Sequence, residues 1–105
     1  MATQHTKPVG AAWEGLIQEM PGQPPYRARV AGTGIEVWEV MKVYRAQHES
    51  WPGLRDWFDS LDDPHLEAAI AFSSAFGQSI DARLAEEDRG EELMEQLWRD
   101  LLSVL

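Results

Sequence analysis

The chain has 105 residues, of which 44% are hydrophobic, and carries 9 Lys and Arg against 18 Asp and Glu, a formal net charge of -9. This length fits one domain and excludes a multidomain enzyme. Five tryptophans and three phenylalanines argue against a disordered chain. The absence of cysteine excludes disulfides, thiolate zinc sites and thiol nucleophiles, and the sequence shows no signal-like or membrane-spanning apolar stretch. These features predict a cytoplasmic protein that does not bind membranes.

The first 21 residues are predicted to be a polar tail followed by a short helix. A Pro- and Gly-rich stretch at 21–25 ends that helix, because proline lacks an amide donor and disfavours helix in the residue before it. The helix prediction rests on four apolar residues at helical spacing, namely Trp13, Leu16, Ile17 and Met20.

Residues 26–37 are predicted to form a β-hairpin. Two runs rich in strand-forming residues, 26–30 and 35–37, flank a glycine-containing turn at 31–34. Because an isolated two-stranded hairpin is marginally stable, it needs a core to pack on.

Three short helices follow, at 37–47, 51–61 and 63–84, with weakening expected at Gly77. Ser50 is a predicted cap of the second, and Asp62 or Asp63 of the third. The buried face predicted for the second helix consists of Leu54, Trp57, Phe58 and Leu61. Tight connections between three helices are what a helix-turn-helix requires, although three-helix packing without DNA is also common.

Residues 86–105 are predicted to form a separate acidic, amphipathic helix that begins after Gly90. The fold class is therefore mainly α, with a three-helix helix-turn-helix-like core, a short N-terminal β-hairpin and this C-terminal helix. The apolar side of the C-terminal helix can pack on the chain's own core, on a second copy of the chain, or in a groove of a partner protein. The predicted partner-binding residues are Leu93, Leu97, Trp98, Leu101, Leu102 and Leu105.

Nothing in the sequence favours an enzyme, a cofactor or a metal site. The three histidines lack the spacing of metal ligands, and the clustered carboxylates lie at helix starts or on exposed faces. Gly32-Thr33-Gly34 lacks the longer pattern of a phosphate-binding loop, so it predicts a turn.

Two short motifs carry a resemblance to a known family. Residues 32–40 read Gly-Thr-Gly-Ile-Glu-Val-Trp-Glu-Val, and residues 66–72 read Leu-Glu-Ala-Ala-Ile-Ala-Phe. Over residues 22–85 the chain resembles domain of unknown function family 433, with Gly34 where that family usually has Arg and Phe72 where it usually has Tyr. The resemblance implies a VapB-type antitoxin with a helix-turn-helix, which binds its promoter as a homodimer and holds a PIN-like ribonuclease toxin.

Two functions follow from these observations. In the first, the chain is an antitoxin-like transcriptional regulator that binds DNA. In the second, it is a protein-interaction module or homodimeric adaptor that uses the C-terminal helix without binding DNA. The predicted DNA-binding residues, which can equally be solvated surface groups, are Arg27, Arg29, Lys42, Arg45, Arg55, Ser73 and Ser74. Against DNA binding, residues 61–105 carry eleven acidic and three basic residues, a balance that repels phosphate.

Overall fold

A computed structural model describes residues 13–104 of the chain. In this range the chain is mainly helical, with one short antiparallel pair of strands near its N-terminal end, which confirms the predicted fold class. In chain order the elements are β1 (Ile17–Gln18), a 3-10 turn (Pro25–Arg27), β2 (Arg29–Val30), α1 (Val37–Ala46), α2 (Trp51–Trp57), α3 (Asp63–Ala75) and α4 (Gly77–Ser103). The predicted polar tail lies outside the described residues.

The helix predicted over residues 11–20 is wrong for the part that the structure describes. The amides of Leu16 and Ile17 both donate to the Trp13 carbonyl at 2.9 Å, which closes a single turn. Gly15 has a φ of +79°, a left-handed conformation that ends the right-handed turn, and the chain continues as β1. Trp13 and Ile17 are both buried, so their spacing indicated burial rather than a helix.

Strand β2 has neighbours on both sides. It pairs antiparallel with β1, where Ile17 lies opposite Val30. On its other side the predicted hairpin is present only as one bridge between Arg29 and Glu36, because the chain enters α1 at Val37. The predicted hairpin strand at 35–37 is therefore corrected to a single bridge, and β1 supplies the second strand.

The connection from β2 to α1 is the predicted glycine-containing turn. The hydroxyl of Thr33 donates to the Val30 carbonyl at 2.9 Å and accepts from the Ile35 amide at 3.0 Å. Glu36 then caps α1 in a reciprocal box with Glu39. These contacts determine where α1 begins.

Helices α2 and α3 also begin at the predicted caps. The Ser50 hydroxyl accepts from the Gly53 amide at 3.2 Å. Asp62 occupies the N-cap of α3, but its side chain makes no capping hydrogen bond. The weakening predicted at Gly77 is confirmed as a break, since α3 ends before Phe76 and α4 begins after it.

Helix α1 is the centre of the fold and packs against α2, α3 and α4. The ring of Phe72 lies at the core of the fold. Its centroid is 5.5 Å from that of the Trp13 ring and 4.6 Å from that of the Phe76 ring. The largest fully buried side chains come from β2 and all four helices: Val30, Val37, Val40, Leu54, Leu66, Phe72 and Ile80.

The separate C-terminal helix predicted after Gly90 is wrong, because α4 continues unbroken from Gly77 to Ser103. One glycine costs about 1 kcal/mol relative to alanine inside a helix, and the neighbouring Glu, Leu, Met, Gln and Arg are strong helix formers. At 1.5 Å per residue this helix is about 40 Å long. Ile80 and Leu84 anchor its first half in the core.

Candidate functional site

The second half of α4 projects away from the core. Every residue from 88 to 104 is exposed, over a length of about 25 Å at 1.5 Å per residue. Seven large apolar side chains in this segment are at least half exposed, and we call them the apolar face of α4: Leu93, Met94, Leu97, Trp98, Leu101, Leu102 and Val104.

The apolar face contains most of the predicted partner-binding residues. Leu93, Leu97, Trp98, Leu101 and Leu102 belong to it, whereas Leu105 lies outside the described residues. The alternative in which this face packs on the chain's own core is wrong for the described residues. Even Leu101, the least exposed of the seven, keeps 50% of its surface in solvent.

Contacts within the helix help to stabilise this segment. The Gln96 amide donates to Asp100 at 3.0 Å, and Arg99 lies 3.6 Å from Glu95. Pairs four residues apart contribute about 0.2–0.5 kcal/mol each to a helix. They occupy the side of α4 away from Leu101, so the helix presents one apolar and one charged side.

A groove of about 390 Å³ lies between α1 and α2. Its lining residues are Trp38, Glu39, Lys42, Val43, Ala46, Gln47, Trp57 and Phe58. The predicted burial of Trp57 is wrong, since 64% of its surface is exposed. We call this feature the α1–α2 groove.

Side chains of α1 connect the groove to α4. The Lys42 ammonium donates to the Glu91 carboxylate, and this hydrogen bond raises the pKa of Lys42 above its usual 10.5. The Arg83 guanidinium lies 3.9 Å from the ring centroid of Trp38, a cation–π contact. The exposed half of α4 therefore begins beside the α1–α2 groove.

Four of the five predicted phosphate-binding cations already contact carboxylates. The pairs are Arg27 with Glu36 at 3.6 Å, Arg45 with Asp81 at 2.5 Å, Arg55 with Asp63 at 2.9 Å, and Lys42 with Glu91. The fifth, Arg29, is half-buried in β2. Such partly exposed pairs contribute about 0–1 kcal/mol each and can open. Each carboxylate would nevertheless remain close to any phosphate that its cation contacted.

The two serines predicted to contact bases lie in different environments. Ser74 is exposed, but Ser73 is only 5% exposed, and its hydroxyl has no hydrogen-bond partner among the described residues. A base contact through Ser73 is incompatible with this burial.

A titration against DNA tests the DNA binding that the sequence predicts. Because the cations are paired, we expect labelled DNA from upstream of the gene to be bound no more tightly than a scrambled duplex at physiological salt. Preference for the upstream DNA that survives physiological salt, with a salt slope that flattens when Arg27 and Arg29 become Ala, would contradict this expectation and support a regulator.

Among residues 13–104, no group of three or more His, Asp or Glu side chains is placed to hold a metal ion. No helix in the described range is long and apolar enough to cross a membrane.

Comparison with protein-family models, with curated protein sequences and with solved structures finds no match. The resemblance to domain of unknown function family 433 therefore stays a prediction from its two short motifs.

Proposed function

We propose that this protein is a non-enzymatic interaction module that binds another polypeptide chain through the apolar face of α4. The observation that carries this proposal is the exposure of seven large apolar side chains on a helix that extends beyond its own core. Contiguous apolar patches of this kind are rare on monomers and mark interaction sites.

The composition of the face supports a protein partner. Trp98 is a residue type that often dominates binding energy, and leucines and a methionine surround it. An amphipathic helix that lays its apolar side against a complementary surface is a common recognition mode. Each leucine contributes about 1.5–3 kcal/mol if binding buries it fully.

The charged side of α4 supports the same proposal. Glu92, Glu95 and Asp100 lie away from Leu101, so a partner can cover the apolar face without removing these carboxylates from water. An enzyme partner such as a PIN-like toxin stays a prediction from the family resemblance.

Photo-crosslinking in the cells that make the protein tests this function. A photoreactive phenylalanine analogue replaces Leu97 on the apolar face or, as the matched control, Arg99 on the charged side. We expect a discrete protein adduct from position 97 and none from position 99. Equal labelling from both positions, or no adduct from either, would overturn the proposal.

A further inference from the structure

The apolar face of α4 and the α1–α2 groove belong to one continuous surface. Arg83 contacts Trp38, which lines the groove. Gly90, Leu97 and Val104 follow Arg83 at intervals of seven residues, and seven residues are close to two helical turns. The side of α4 that carries the exposed leucines therefore starts at the groove.

The size of this surface suits a stable interface. The seven side chains of the apolar face present on the order of 800 Å², which is the area that each partner contributes to a standard interface. The groove adds Trp57 and Phe58. A second copy of the chain brings the same area, and a two-fold arrangement covers both copies equally.

Antiparallel packing brings each helix end to the partner's groove. The exposed segment begins near Glu91, which contacts Lys42 of the groove, and it ends at Val104. When two such segments run in opposite directions, the end of one lies beside the start of the other.

Building on the proposed function, we propose that the occupant of this surface is a second copy of this chain. The two α4 helices pack antiparallel across their apolar faces, and the end of each helix covers the α1–α2 groove of the other copy. A two-fold axis between Met94 and the partner's Leu97 sets Gly90 against the partner's Leu101.

Gly90 is the observation that sets this register. A Cβ at this position would meet nothing within 4 Å, so no contact among the described residues of one copy requires a glycine here. Glycine also disfavours the helix that contains it. Against the partner's Leu101, however, the missing side chain allows the two helices to approach closely.

The test uses the purified full chain, whose lack of cysteine makes single cysteines unambiguous. Sedimentation equilibrium is expected to give the mass of two chains. Mild oxidation of a mixture of Val104→Cys and Ala46→Cys chains is expected to link position 104 of one copy to position 46 in the groove of the other. Val104→Cys alone is expected not to crosslink, because the two copies of position 104 lie about 25 Å apart in this arrangement. A disulfide needs Cα atoms within about 7 Å of each other.

Gly90→Ala separates a contact role from a purely structural one. Because alanine favours the helix but obstructs the partner's Leu101, we expect it to raise the dissociation constant about tenfold. Gln96→Ala on the charged side is the control and is expected to leave that constant unchanged. An unchanged or lower constant for Gly90→Ala would overturn the proposed register.

The remaining outcomes separate the two proposals. A mass of one chain overturns the second copy as occupant, and adducts with a different protein from position 97 would then leave the proposed function in place. A monomer without adducts from position 97 overturns both proposals. A dimer in which Val104→Cys links to itself overturns the antiparallel arrangement.

Discussion

Replacement of Leu97 and Leu101 by aspartate is expected to give a folded monomer. Both side chains are at least half exposed in one copy, so the substitutions remove nothing from the core. In the dimer, each copy loses two buried leucines worth about 1.5–3 kcal/mol apiece. The dissociation constant therefore rises at least about a thousandfold, which sedimentation equilibrium measures, while the circular dichroism spectrum keeps its helical signal.

The matched control for this variant places two aspartates on the charged side of the same helix. Gln96→Asp with Ser103→Asp adds the same charge but leaves the apolar face intact, and it is expected to remain dimeric. A Leu97→Asp, Leu101→Asp chain with the mass of two copies would show that this face does not hold the dimer together.

Phe72→Ala is expected to be the most destabilising single change in the fold. The Phe72 side chain is fully buried between Trp13 and Phe76. Its removal leaves a cavity where the N-terminal turn, α3 and the start of α4 meet, at a cost of about 3–5 kcal/mol. Native domains have only about 5–15 kcal/mol of total stability, so the loss is a large fraction of it.

Urea unfolding measures this effect. The substitution is made in the Leu97→Asp, Leu101→Asp background, so that dissociation does not contribute to the transition. Ser74→Ala, on an exposed position of the same helix, is the control and is expected to change the free energy of unfolding by less than about 0.5 kcal/mol. A loss below about 1 kcal/mol for Phe72→Ala would contradict the packing described for the core.

The two halves of α4 have different roles. The first half carries Ile80 and Leu84 and belongs to the core, whereas the second half carries the apolar face, whose seven side chains are all at least half exposed. Folding and association therefore depend on different residues of one helix.

Much of the fold could be predicted because local chemistry determines it. Ser50 and Asp62 mark helix starts because both are residue types common at N-caps, and the Ser50 hydroxyl accepts from a free amide of its first turn. The turn at 31–34 follows from glycine and threonine, and the apolar side of α4 follows from spacing alone. Each of these features depends on residues close together in the chain.

The errors arose where distant residues decide the outcome. Trp13 and Ile17 have helical spacing, but pairing of Ile17 with Val30 makes their segment a turn and a strand. Spacing likewise places Trp57 and Leu97 on the apolar sides of their helices. It does not show whether another element of the fold covers those sides. Charge composition shows that Arg45 is a cation, but not that Asp81 lies beside it.

Residues close together in the chain therefore predict where α1 to α3 begin, the cap positions of α2 and α3, the turn before α1 and the two-sided character of α4. Long-range contacts, in contrast, leave the apolar face of α4 uncovered and pair four of the five candidate phosphate contacts with carboxylates. Capping and periodicity act within a few residues, whereas burial and ion pairing depend on which distant segments the fold brings together.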